Sequence, residues 1–212
     1  MTKIVTGAAG FIGSSIARRL LEIGEDVIGI DCFIDYYPRA IKESNLASLK
    51  DFSNFRFIEA NIVDLDLSPF LDAADGIFHQ AAQAGVRASW GSDFAIYTRN
   101  NILATQKILE AVKGRDIRVV YASSSSVYGE TRKLPMSEDD IPRPVSPYGV
   151  SKLAAEHLCV LYHTNFGVPA VSLRYFTVYG PRQRPDMAFH RFLKAIIMGE
   201  EIVLYGDGEQ TR

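Results

Sequence analysis

Thr6-Gly-Ala-Ala-Gly-Phe-Ile-Gly13 joins a short β-branched run, Lys3–Thr6, to an amphipathic stretch, Phe11–Ile23. A strand that turns through three glycines directly into a helix is how many parallel α/β sheets begin their phosphate site. Glycines at 7, 10 and 13 let the chain turn sharply and let backbone approach a pyrophosphate. The free N–H groups at the start of the following helix favour its charge. The spacing is Gly-x-x-Gly-x-x-Gly, a variant of the common Gly-x-Gly-x-x-Gly fingerprint. Asp31 ends the next strand-like run, 18 residues after Gly13, where a carboxylate accepts hydrogen bonds from a ribose diol. The same charge repels a 2′-phosphate, and the nearest following arginine is Arg39. NAD is therefore expected in preference to NADP.

Downstream, short β-branched runs alternate with longer amphipathic stretches, which predicts an α/β, Rossmann-type doubly wound parallel sheet. Expected strands are Lys3–Thr6, Asp26–Ile30, Phe55–Ala60, Gly76–Phe78, Arg118–Ala122 and Ala170–Arg174. Expected helices are Phe11–Ile23, Ile41–Lys50, Asp93–Val112, Pro147–Asn165 and Ala188–Gly199. Most of the strands are largely apolar runs, which predicts burial on both faces by flanking helices. Residues 129–147, rich in proline and charge, predict a surface loop. A strand-like Glu201–Tyr205 is followed by Gly206-Asp-Gly-Glu-Gln-Thr-Arg212, which stops in a turn. That ending is expected of a chain cut before its natural end.

Composition narrows the function classes. The 212 residues are 47% hydrophobic and 23% charged, an ordinary globular balance large enough for a sizeable core. A formal net charge of −2 gives no electrostatic argument for nucleic acid or a membrane surface. No apolar run reaches the roughly 18 residues of a membrane span, and the N-terminus leads into a strand rather than a signal peptide. Cys32 and Cys159 form neither a disulfide framework nor a metal-ligand spacing, so no metal site is expected and the setting is a reducing cytoplasm.

The chemistry is carried by Ser146-Pro-Tyr-Gly-Val-Ser-Lys152. Tyr148 and Lys152 are spaced i, i+4, so on a helix the phenol and the ammonium share a face. A phenol has an unperturbed pKa of about 10 and is a poor base at neutral pH. A nearby cation favours the phenolate, which predicts a lowered pKa and a usable proton acceptor.

With the glycine loop, Asp31, a serine cluster and this pair in order, the chain resembles the extended short-chain dehydrogenase/reductase family, and most closely its nucleotide-sugar epimerases. The matching stretches are the glycine loop, His79-Gln-Ala-Ala-Gln-Ala-Gly-Val-Arg87, Ala122-Ser-Ser-Ser-Ser-Val-Tyr-Gly129, Ser146–Lys152 and Arg174-Tyr-Phe-Thr-Val-Tyr-Gly-Pro181. The resemblance implies bound NAD that takes a hydride from a sugar carbon and returns it to the other face. Tyr148 would be the base, Lys152 would bind the nicotinamide ribose, and Ser124 would bond the reacting oxygen. The cofactor set implied is Gly7, Gly10, Phe11, Ile12, Gly13, Asp31, Asn61, Ile62 and Ala81, with Asn100 or Asn101. Asn61 stands where the family commonly has an aspartate that contacts adenine. The domains implied are 1–174 for NAD and 175–212 as the start of a small, truncated substrate-binding region. Helices Asp93–Val112 and Pro147–Asn165 would pair in a homodimer.

Family dehydratases carry Thr-Asp-Glu where this chain has Ser124-Ser125-Ser126, and decarboxylases place a glutamate at Ser126. Both reactions are disfavoured on that account, and epimerisation remains. Phe176-Thr-Val-Tyr-Gly-Pro-Arg-Gln-Arg-Pro-Asp-Met187 resembles most the 4-epimerases of UDP-glucuronate. Thr177 is the candidate donor to a sugar carboxylate, and Arg87 and Arg184 supply charge for it or for the diphosphate. Arg191 and Arg212 are further phosphate candidates, whereas Arg182 reads as a surface residue. Neutral UDP-glucose or UDP-N-acetylglucosamine is the alternative substrate, and a non-catalytic dinucleotide sensor the alternative class. His79 and Trp90 read as packing residues.

Overall fold

The computed structural model describes residues 1–130, 133–204 and 206–207. Six strands form one parallel sheet: β1 Thr2–Thr6, β2 Asp26–Asp31, β3 Phe55–Glu59, β4 Ala74–His79, β5 Arg118–Ser124 and β6 Ala170–Tyr175. Their order is β3-β2-β1-β4-β5-β6. The chain winds outward from β1 in one direction and then from β4 in the other, so the switch point lies between β1 and β4. Ligands of open parallel sheets bind in the crevice at such a point.

Neighbouring residues of each central strand feed opposite faces. Ile4 packs with Ile77, Val119, Ile108 and Leu109 on one side, while Val5 packs with Ala17, Leu21, Leu46 and Leu49 on the other. The second face is covered by α1 Phe11–Glu22 and α2 Arg39–Lys50, and the first by helices further along the chain. Full burial of one such Leu or Ile side chain contributes about 1.5–3 kcal/mol. The expectation of two buried faces fails at the sheet edge, where Val171 and Leu173 of β6 are exposed on one face while Ala170, on the other, packs against the core.

Local chemistry sets the helix ends. After the single turn α3 Ser68–Leu71, the expected Asp93–Val112 helix forms without interruption over 94–111, as α4 Phe94–Tyr97, a π-helical segment Thr98–Leu103 and α5 Ala104–Ala111. Its apolar spacing has no break at 98–103; the widened turn carries Asn101, whose side chain bonds Gln83 and Ser151. Helix α6 spans Pro147–Phe166, started by the Ser146 hydroxyl, which accepts from Gly149 N at 3.1 Å, and by Pro147, whose fixed φ suits a first turn. Gly167 ends it in the left-handed conformation at φ 70°. Helix α7 covers Ala188–Met198. Glu201–Leu204, expected as a strand, has no regular structure, since no described strand offers it a partner; Tyr205 lies outside the described residues. Trp90, read as a packing residue, is 63% exposed. Among the described residues no helix is long and apolar enough to cross a membrane.

Candidate active site

A cavity of about 560 Å³ lies along the carboxyl ends of the strands. The glycine loop forms its floor. Gly7 takes φ 70°, and its N–H donates to Ile30 O at 2.8 Å. A Cβ on Gly13 would sit 2.0 Å from Gly7 O, so the third glycine lets α1 pack against the loop. At Gly10 the added carbon would meet only Gly7 O, at 3.1 Å, and would take up space that the loop leaves to the cavity. The cradle fits a group that needs close approach to backbone.

At the end of β2, Asp31 is held by two backbone donors, Ala9 N at 3.0 Å and Phe33 N at 2.8 Å. Burial raises its pKa, opposed by these bonds and by the Lys42 charge. The amine of Lys42 is tied to Ile34 O. Arg39 turns away: its guanidinium bonds both Glu59 oxygens at 2.9 Å and Glu43 at 2.8 Å, and stacks on the Phe33 ring. Asn61 lines the cavity, but its side-chain oxygen already accepts from Val63 N at 3.0 Å. Ile62 and Ala81 line the same space, and Ala81 N donates to the Thr6 hydroxyl at 3.1 Å.

The fold separates Asn100 from Asn101. Asn100 faces the cavity. Asn101 is buried, accepts from Gln83 N at 2.7 Å, and donates to Gln83 O at 3.1 Å and to the Ser151 hydroxyl at 2.9 Å. It ties the segment after β4 to α6 one residue from Lys152, and it does so from the widened turn. Such π segments recur at functional sites.

Tyr148 and Lys152 do share one face of α6, beside the end of β5. Lys152 is buried, donates to Ala122 O at 2.9 Å, and holds its nitrogen 5.1 Å from the Tyr121 ring centre and 6.0 Å from that of Tyr148. The lowered tyrosine pKa expected from this pairing is not found. Burial raises the Tyr148 pKa, and what opposes it is a bond from Ser124 and then the charge of Arg184. The reason is desolvation, which also brings Lys152 down to about 7 and so weakens the cation that was to act on the phenol. Ser124 is buried and accepts from Ser126 N at 3.2 Å; Ser125 and Ser126 line the cavity beside it.

Sequence reading missed Glu156, one further turn along the Tyr148–Lys152 face. It accepts from the Ser123 hydroxyl at 2.5 Å and pairs with Arg174 through Nη2 at 3.0 Å, fixing α6 to the ends of β5 and β6. The i, i+4, i+8 series was the available signal. His79 is a packing residue as expected: buried, bonded to Thr6 and Thr105 hydroxyls at 2.8 and 3.1 Å, with its pKa pressed to about 3 by burial.

Phe11, Ile12, Arg87, Thr177 and Arg184 line the cavity. Arg184 is clamped by Asp186, through Nε and Nη2 at 3.0 Å each. Arg191, exposed on α7, is not brought to the cavity. Arg212 lies outside the described residues. Arg182, read as a surface residue, is half-buried at φ 69°, its Nη2 3.5 Å from the Ser15 hydroxyl.

Residues 3–212 match the model of the NAD dependent epimerase/dehydratase family. The chain belongs to this family. The crystal structure of UDP-glucuronic acid 4-epimerase from Bacillus cereus, in complex with UDP-glucuronic acid and NAD, is 51% identical. It superposes with a TM-score of 0.95, over 99% of this chain and 67% of that one. The curated protein "Uncharacterized UDP-glucose epimerase YtcB" of Bacillus subtilis is 49% identical over all of this chain and 67% of its own length. A UDP-glucuronate 4-epimerase of Thermodesulfobacterium geofontis is 39% identical over 99% of this chain and 66% of its own. The chain thus spans about two thirds of these family members.

Proposed function

We propose that this chain carries the NAD site and the proton-transfer residues of a UDP-sugar 4-epimerase, acting on UDP-glucuronate to give UDP-galacturonate. The observation that carries the reading is the placement of buried Lys152 and Ser124 and half-buried Tyr148 on the cavity that also holds the glycine cradle and Asp31. Gly7, Gly10, Phe11, Ile12 and Gly13 would hold the pyrophosphate, and Asp31 the adenosine ribose. Asn61, Ile62 and Ala81 would border the adenosine half, and Asn100 the nicotinamide half. Bound NAD supplies a two-electron acceptor that later gives the electrons back. Arg39, the nearest arginine after Asp31 in the sequence, is engaged by Glu59 and Glu43, which supports NAD.

Tyr148 takes the proton from the sugar 4-hydroxyl and returns it after the 4-keto sugar has turned over in the site. Ser124 bonds that oxygen throughout. Lys152 would bond the nicotinamide ribose, and Ser124 and Arg184 oppose the burial that raises the Tyr148 pKa. Ser125, Ser126 and Thr177 offer hydroxyls to the sugar, and Arg87 and Arg184 offer charge. Absence of an acid at Ser125 and Ser126 speaks against dehydration and decarboxylation.

UDP-glucuronate is favoured by the UDP-glucuronate 4-epimerases among the similar proteins and by Thr177 and Arg184 on the cavity wall. Neutral UDP-glucose has one observation in its favour: Asp186 already neutralises Arg184. Residues 1–174 would form the dinucleotide part, with the substrate region beginning at 175. A homodimer through α4–α5 and α6 is supported by exposed Ile96, Leu103, Val160 and Leu161 on those elements. The test is incubation of purified protein with UDP-glucuronate, UDP-glucose and UDP-N-acetylglucosamine. UDP-galacturonate as the main product is expected; preference for a neutral sugar overturns the substrate, and no turnover of any, with NAD bound, overturns the activity.

A further inference from the structure

Three loops meet over the cavity. Tyr36, in the loop after β2, reaches Asp186, in the loop after β6, with its hydroxyl 3.3 Å from Oδ2. Arg184, paired with the same carboxylate, lies 5.5 Å above the Tyr36 ring. Beneath the Tyr36 hydroxyl runs Gly85, in the loop after β4, at φ 104°; a Cβ there would stand 2.6 Å from that oxygen. Tyr97 pins this third loop by donating to Gly85 O at 2.8 Å, and its ring packs edge-on against Tyr148.

Topology gives the contact its meaning. In the order β3-β2-β1-β4-β5-β6, strands β2 and β6 stand four spacings apart, roughly 19 Å. A bond between the loops that follow them crosses the carboxyl ends of β1, β4 and β5, where the glycine loop and the Tyr148 face lie. Tyr36, Gly85 and Asp186 line the same cavity as those groups. A dinucleotide lying across the switch point would pass below the bridge.

We propose that Tyr36 and Asp186 are positioning residues that form a clasp, closed over the bound dinucleotide, which keeps one NAD molecule in place from turnover to turnover. The inference rests on the NAD reading above and not on the choice of sugar. The chemistry requires retention at least within each turnover: electrons taken from the substrate must go back to it, so a cofactor that leaves between the two transfers ends the cycle with an oxidised sugar, and a clasp that holds through that interval also slows exchange between turnovers.

Tyr36→Phe removes the hydroxyl and keeps the ring, and Asp186→Asn removes the charge and keeps the shape. NAD release from each purified protein is followed by trapping freed NAD with an added dehydrogenase, and NAD entry by mixing stripped protein with NAD. Loss of one hydrogen bond to a charged partner is expected to speed release by about tenfold in Tyr36→Phe. Because a clasp must open in both directions, entry speeds up as well. Release within about twofold of the unsubstituted protein overturns the clasp. Faster release with unchanged entry overturns it too, since Tyr36 is then an ordinary contact of the cofactor. Neither rate depends on which UDP-sugar turns over, and a protein that binds no NAD at all refutes the cofactor reading itself.

Discussion

Tyr148 has to accept a proton although burial holds its phenol above the usual value. The two groups that favour its charged form, Ser124 and Arg184, reach it from the end of β5 and from the loop after β6. Lys152, titrating near 7, is poised to respond to whatever charge the ligands add. Tyr148→Phe removes the proton acceptor and leaves the cavity wall intact. Turnover of the UDP-sugar is expected to fall about 10²–10⁴-fold, the usual worth of a positioned acid–base group. NAD content and melting temperature should stay as in the unsubstituted protein. A product assay showing less than about a tenfold loss sinks the assignment of Tyr148 as the base.

Among the elements, the junction of β1, the glycine loop and α1 is the most tightly specified. Gly13 has no room for a methyl group, because Gly7 O would lie 2.0 Å from it. In Gly13→Ala the helix start must move away from the loop. A destabilisation of about 1–3 kcal/mol is expected, as for other overpacked sites. Denaturant unfolding measures it, and NAD content of the purified protein should drop because the cradle opens. Unchanged stability together with full NAD content rules the packing argument out. The π segment is the opposite case. Nothing in Thr98-Arg-Asn-Asn-Ile-Leu103 marks a widened turn; its Asn101 bonds Gln83 and Ser151, which are distant in sequence.

At the scale of the whole molecule, acid stability is tied to His79. Buried between β1 and the α5 region, it is held near pKa 3 against an ordinary 6.5. The unfolded chain takes up this proton below about 6.5 and the folded one does not. The neutral form's stabilisation is therefore complete above that value and is lost as pH falls toward 3. The slope from this one group is about 1.4 kcal/mol per pH unit within the window. Urea unfolding of the native protein and of His79→Asn at several pH values between 7 and 4 checks it. The variant is expected to show the shallower dependence, and equal slopes count against a buried neutral histidine.

How much of this was legible beforehand follows from the range of the forces involved. The glycine loop, the strand–helix alternation, the capping of α6 by Ser146 and Pro147 and the shared face of Tyr148 and Lys152 are local. Each depends on residues within a few positions, so the sequence alone determines it. The exposed face of β6, the π segment before α5 and the lack of a strand at Glu201–Leu204 depend on which elements become neighbours. Electrostatics goes the same way. A tyrosine and a lysine one turn apart announce a proton-transfer pair, but burial decides their pKa values, and burial belongs to the fold. Asp186, Tyr36 and Glu156 are unremarkable letters along the chain. Only the tertiary structure brings the first two together across the strand ends and sets the third beneath Ser123, because loops after distant strands meet where the parallel sheet aligns its carboxyl edge.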